Sequence, residues 1–254
     1  MIFVTGDIHG KPFPRLNVDS FYEQENTKQD EDFLIICGDF GLVWEQKESP
    51  QEKYFLDDLE SRPFTTLFCD GNHENFDRLD SFPVEEWHGG KVHKIRPHVI
   101  HLMRGQVYDI CDKKFFVFGG ARSHDIRDGV LEKDDPRIKE WEHDYFKCFR
   151  INHLSWWEQE MPSRKEMNEG LRNLAKHDNK VDYIISHEMP AECLALYCAL
   201  YKSGGFYKPD KLNRYFDKVR EQTTYEKWFF GHYHEDRQIT DKDILLMMQI
   251  VRIV

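Results

Sequence analysis

The chain has 254 residues, with 35 Lys and Arg against 46 Asp and Glu and a formal charge of −11. That length suffices for one large core, and length alone would also allow two domains. A nonspecific duplex binder would need the opposite charge balance, whereas a small phosphate ester held by bound cations is compatible with an acidic surface.

Six cysteines, at 37, 69, 111, 148, 193 and 198, form no C-x-x-C pair and read as reduced, mostly buried thiols, which predicts a cytoplasmic location. The opening MIFVTG has no basic leader, and no 18-residue apolar run occurs, so neither a signal segment nor a membrane span is expected.

In chain order, MIFVTG at 1–6 and FLIIC at 33–37 predict buried strands, each leading to an aspartate. A helix is expected over 50–60, opening on Pro50 and carrying Tyr54, Phe55, Leu56 and Leu59, and FTTLFC at 64–69 predicts another strand. Residues 99–118 resemble three short strands without a helix between them, which calls for some antiparallel pairing. The charged segment 121–177 is the least regular, and is expected to be a cap over the site mouth with a helix near 163–177, or else an ordinary helical crossover. A strand at 181–186, helices at 190–201 and 209–221, and a strand at 226–230 follow. Two last strands are expected in 237–254, joined around Asp241 to Asp243. Strands alternating with helices make the chain largely α/β.

Five polar clusters sit directly after apolar runs: GDIHG with Asp7 and His9, GDFG with Asp39, GNHE with Asn72, ISHEMP with His187, and GHYH with His232 and His234. Their oxygen and imidazole donors suit Mn, Fe, Co, Ni or Zn and require no thiolate. On extended backbone, D-x-H and H-x-H each turn two side chains toward one face. The carboxyl edge of an open α/β sheet is the usual place for such a site. Two cations a few ångströms apart need a shared anionic ligand, which a carboxylate can provide, and phosphate ester hydrolysis is the chemistry best matched to that layout.

In this order the clusters resemble the calcineurin-like metallophosphoesterase superfamily, whose pattern is GDxHG, GDxx, GNHE, an isolated His after a strand, and GHxH. The resemblance implies two facing mixed β-sheets flanked by helices, a four-layer α/β/β/α sandwich, here as one domain over 1–254. It implies two divalent metal ions, Mn or Fe foremost, with Zn, Ni or Co as alternatives. Asp7, His9 and His234 would hold one ion, Asn72, His187 and His232 the other, and Asp39 would bridge. A metal-bridging hydroxide would then attack phosphorus. His73 matches the position that contacts phosphate and protonates the leaving oxygen, its plainer reading being a structural hydrogen bond.

One departure is informative. Phosphoprotein phosphatases of this superfamily usually show GDxxDRG, whose arginine grips phosphate, whereas this chain reads GDFGLVWE. That tilts the expectation from protein phosphatase or other phosphomonoesterase activity toward phosphodiesters. Arg122, in GGARSHD, is a candidate phosphate ligand, with His124 and Asp125 lining the same mouth, or else it forms an ion pair in a polar loop. Trp44 could stack on a base or cover the core edge. Asp70 is expected to orient a ligand and Glu74 to start the following helix, while His88, His93, His98, His101, His143, His153 and His177 read as surface or packed histidines. The expected substrate is a small phosphate ester or nucleotide-like molecule. A nuclease is disfavoured by the lack of a basic aromatic groove, and a non-catalytic scaffold by the presence of all seven ligands.

Overall fold

The computed structural model describes residues 1–201 and 207–254. Its strands and helices run β1 (Ile2–Thr5), β2 (Phe33–Ile36), α1 (Pro50–Glu60), β3 (Thr65–Phe68), α2 (Phe76–Leu79), β4 (Val84–Trp87), β5 (Gly90–Arg96), β6 (Val99–Leu102), β7 (Gln106–Ile110) and β8 (Lys113–Phe118). They continue through β9 (Gly129–Leu131), α3 (Ile138–Trp141), β10 (Phe149–Ile151), α4 (Arg164–Lys176), β11 (Tyr183–Ser186), α5 (Ala191–Tyr201), α6 (Lys211–Gln222), β12 (Lys227–Phe230), β13 (Arg237–Gln238), β14 (Asp243–Leu245) and β15 (Ile250–Arg252).

Two mixed sheets result. One has the order β15-β1-β2-β3-β6-β5-β4 and the other β13-β14-β12-β11-β8-β7, each parallel at its centre and antiparallel at its margins. The period-2 alternation of strand side chains explains the layering. Ile2, Val4, Ile35 and Leu67 of the first sheet meet Phe115, Val117, Ile185 and Phe229 of the second in a core between them. The intervening Phe3, Leu34, Ile36 and Phe68 face outward onto Leu56 and Leu59 of α1. On the far side Phe116, Phe118, Ile184 and Trp228 pack with Leu174, Leu194, Leu212 and Phe216, from α4, α5 and α6. The expected helix–sheet–sheet–helix order is therefore present. Each of these buried apolar side chains contributes roughly 1.5–3 kcal/mol relative to exposure. Among the described residues, no helix is long and apolar enough to cross a membrane.

Helix starts follow the sequence. Ser49 and Glu52 form a capping box at α1, as do Ser163 and Glu166 at α4 and Asp210 and Asn213 at α6.

Three expectations need revision. The hairpin β4–β5 was not expected, because its first strand is largely exposed and charged. The tail holds three short strands rather than two, Asp243 lies inside β14, and β15 crosses to pair with β1 of the first sheet. Segment 121–177 combines its two readings. Its end, α4, is the crossover from β8 to the parallel β11, while residues 121–162 make an irregular excursion containing a two-stranded parallel ladder of β9 and β10.

The parallel arrangement brings the carboxyl ends of β1, β2 and β3 in one sheet, and of β8, β11 and β12 in the other, to one edge of the sandwich. All five polar clusters leave the strands there.

Candidate metal centre

Loops that must turn sharply at this edge carry their functional residues in the left-handed backbone region. His9, Asp39, His232 and His234 have φ of 46, 46, 73 and 53°. Non-glycine residues rarely hold that conformation, and strain of this kind concentrates at functional sites. Gly38, at φ +89°, lies so close to His187 that any Cβ there would overlap the imidazole.

The expected ligands gather in two overlapping groups, and His232 belongs to a third with His124 and Glu188. Asp7, His9, Asp39 and His234 bring one donor atom each within 4.8 Å of one another, and so do Asp39, His187 and His232. Asp39 belongs to both. His9 Nε2 and His234 Nε2 are 2.9 Å apart, His234 Nε2 is 3.3 Å from Asp7 Oδ2, and His187 Nε2 is 3.2 Å from Asp39 Oδ1. Asn72 donates from Nδ2 to Ser123 Oγ at 3.4 Å, which leaves its Oδ1 for other use. Among the described residues, Asn72 Oδ1 and His187 Nε2 are buried without a hydrogen-bond partner, an arrangement costly unless a cation completes it.

The electrostatics agree. Burial alone would raise Asp39, but His187, His73 and His9 outweigh it and hold the carboxylate well below its ordinary range. Burial would lower His187, yet Asp39, Asp7 and the Cys37 carbonyl push it up to about 10. Burial, with His187 and His124 adding to it, keeps His232 well below its ordinary value, in the neutral form that can donate a lone pair. Buried carboxylates faced by imidazole nitrogens and an amide oxygen form a donor set that fits divalent cations of intermediate softness.

A supporting layer fixes these groups. His187 Nδ1 lies 2.7 Å from the Cys37 carbonyl oxygen and the His232 amide donates to Asp7, while the His73 amide donates to Asp39 Oδ1 at 2.8 Å. Glu74 does not start a helix as expected. Its buried carboxylate accepts the Phe40 and Gly41 amides and so braces the Asp39 loop, and Asn75 caps α2 instead. Asp70 is clamped by Arg104 at 2.6 and 2.8 Å and approached by His101 at 3.2 Å, with His93 behind His101. Arg15, not singled out in sequence, grips the Gly6 and Asp7 carbonyls. Neither Arg15 nor Arg104 lies in a motif. A positive charge within a mostly apolar stretch such as HLMRGQV was the one available signal.

On the open side, Trp44 stacks on His73 with ring centroids 5.7 Å apart, and meets Trp157 edge-on. It is thus occupied by the histidine and the core margin. His124 reaches the centre, with Nε2 3.3 Å from His232 Nε2. Arg122 is exposed and lines both a cavity of about 350 Å³, with His124 and Glu188, and a cleft of about 1140 Å³, with Arg104 and Glu160. Asp125 does not join Arg122. It binds Arg150, a residue the sequence did not single out, whose Nη2 lies 3.4 Å from His73 Nε2.

A family model for calcineurin-like phosphoesterases matches residues 1–236. Among curated proteins none matches the chain. Members of that family typically bind two divalent metal ions and act on phosphate esters. The chain belongs to the calcineurin-like phosphoesterase family and is a metal-dependent phosphoric ester hydrolase.

Proposed function

We propose that the protein hydrolyses small phosphate esters at a dinuclear centre of Mn or Fe type. Asp7, His9 and His234 hold one ion, Asn72, His187 and His232 the other, and Asp39 both. The observation that carries this reading is the membership of Asp39 in both donor groups, since a shared carboxylate is what two neighbouring cations require. When bound, the ions supply a hydroxide at neutral pH and positive charge for the phosphoryl oxygens.

The protein's own groups do the rest. The Asp39 carboxylate fixes the His73 backbone, and Trp44 stacks on the imidazole and fixes its plane. At the family's position for the acid, His73 would hand the leaving oxygen its proton. Residues 121–162 belong to the same single domain and form one wall of the opening, because Ser123 holds Asn72 and Arg150 meets His73. A preference for diesters rested on the lack of an arginine after Asp39. With Arg150 beside His73 that ground falls away, and phosphomonoesters become the better supported class.

Apo-protein reconstituted with Mn, Fe(II), Co, Ni or Zn and assayed on p-nitrophenyl phosphate and bis(p-nitrophenyl) phosphate tests this. Turnover that requires two ions per chain and is lost in Asp39→Asn is expected. No turnover with any of these metals on either ester would refute it.

A further inference from the structure

Arg150 projects from β10, outside every motif, yet its guanidinium reaches the histidine of GNHE. The side chain is 13% exposed, and Nη1 is held by the Ser155 carbonyl at 3.0 Å, so the orientation of the fork is preset. The opposite edge, Nε and Nη2, meets Asp125 at 2.6–3.0 Å, and the same Nη2 is 3.4 Å from His73 Nε2. Asp125 is 54% exposed. The cation is therefore held by the wall, and the anion is the half of the pair that faces water.

The wall itself is tied to the loop that carries His73. Asp77, at the start of α2, accepts Trp157 Nε1 at 2.8 Å and lies 2.8 Å from His153 Nδ1. Ser123 and Glu160 connect the same wall to Asn72. Arg150 thus has a fixed position relative to the metal-facing loops.

A planar guanidinium is a donor-only fork whose geometry matches two oxygens of a carboxylate or a phosphoryl group equally well. Asp125 occupies the edge that a phosphoryl group at His73 would approach. Asp125 is more than half exposed and is rehydrated when it leaves, so a dianion that offers Arg150 two oxygens can take its place.

We infer that Arg150 and Asp125 form a phosphate clasp. Arg150 binds the unesterified oxygens of a phosphomonoester at His73, and Asp125 is the resident oxyanion that the substrate displaces. The inference rests on the phosphoesterase reading above and narrows it to substrate class. A monoester offers three unesterified oxygens and a diester two. A guanidinium added to a pair of cations therefore gains most from the third oxygen, so the clasp favours monoesters.

Calorimetric binding of inorganic phosphate to the Mn-loaded protein is the direct test, with Mn content per chain measured for every variant. Arg150→Lys and Arg150→Ala are expected to keep the wild-type Mn content and to weaken phosphate binding roughly 10- to 100-fold, the effect of losing a charge-assisted hydrogen-bonded pair. KM for p-nitrophenyl phosphate should rise similarly, while bis(p-nitrophenyl) phosphate changes less than about threefold. Asp125→Asn should tighten phosphate binding, because the competing charge is removed. Phosphate affinity within about threefold of wild type in both Arg150 variants, or equal losses on the two esters, would overturn the clasp. So would an Asp125→Asn variant that binds phosphate as weakly as Arg150→Ala. If phosphate binding depends on Arg150 but no ester is turned over, the clasp stands and the hydrolytic reading fails.

Discussion

Adding one methyl group at Gly71 should disable the centre without replacing a ligand. A Cβ built there would overlap Asp39 Oδ1, lie 2.5 Å from the Asp39 backbone nitrogen and lie 2.8 Å from His187 Cδ2. Ordinary contacts begin near 3.4 Å, so something must move by more than half an ångström. The Gly71 loop cannot retreat easily, because the Gly120 amide donates to the Asp70 carbonyl at 2.8 Å and Arg104 clamps the Asp70 carboxylate. The displacement therefore falls on Asp39 and His187. Metal–ligand distances tolerate only about 0.2 Å, so Gly71→Ala should retain fewer than two ions per chain after desalting. Overpacking of this kind costs about 1–3 kcal/mol, which lowers Tm by roughly 2–10 °C for a chain of this size. Misplacement approaching 1 Å lowers kcat/KM by about 100-fold. Elemental analysis, a thermal melt and steady-state hydrolysis read the three effects. A Gly71→Ala protein with both ions and kcat/KM within about threefold of wild type would refute the close packing of Gly71 against Asp39.

Three further outcomes are expected. Asp39→Asn replaces the shared anion by an amide that cannot bridge, and should lose at least one ion per chain by elemental analysis and more than about 100-fold in kcat/KM, exceeding the usual effect of an outer partner. Ser123→Ala removes the group that holds Asn72 Nδ2, and should weaken metal binding in a chelator competition by roughly 10- to 100-fold, with a lower melting temperature as well because the buried Glu160 carboxylate loses its hydroxyl donor. Glu52 should give pH-dependent stability. Burial would raise its carboxyl, but the amides of Ser49, Glu45 and Trp44 and the Arg78 guanidinium outweigh it and lower it below 4.5. Its contribution, about 2–3 kcal/mol for a charged hydrogen-bonded group, is thus present above pH 4.5 and lost as pH falls through the lowered folded value. Urea unfolding of wild type and Glu52→Gln should differ by that amount near pH 7 and converge in acid, and a gap that stays constant with pH would contradict this.

The legible part of the site was the part whose residues are covalent neighbours of a strand end. Asp7, Asp39, Asn72, His187 and His232 each follow an apolar run within a few residues, so one local reading supplies both the strand and the ligand. The supporting groups carry no such mark. Glu74 adjoins a short helix and invites a capping role, but the carboxylate turns inward because two amides of the Asp39 loop need an acceptor. Arg104 and Arg150 act on loops far from them in sequence, so nothing near them indicates their partners, and Arg15, though close to Gly6 and Asp7 in sequence, stands outside the GDIHG cluster. The hairpin β4–β5 was missed because Val84, Glu85 and Glu86 are exposed and give no buried face to detect. The destination of β15 depends on which sheet edge stands free, a property of the assembled sandwich.

The excursion at 121–162 ties the proposed metal ligand Asn72 to the body of the protein that also carries the proposed phosphate clasp. A detachable lid would touch the body through few contacts. Instead Arg104 holds Asp70 through Nε and Nη2, and the same Nη2 donates to the Gln159 and Glu160 carbonyls. Glu160 in turn accepts the Ser123 amide and hydroxyl, and Ser123 meets Asn72. The residues that orient an amide oxygen toward the metal side and those that carry Arg150 toward the phosphate side therefore lie on one hydrogen-bonded wall. Groups in one network give non-additive effects when removed together. Loosening Ser123 or Glu160 should thus disturb phosphate recognition through Arg150 as well as the seat of Asn72, and that shared dependence distinguishes a built wall from a passive crossover.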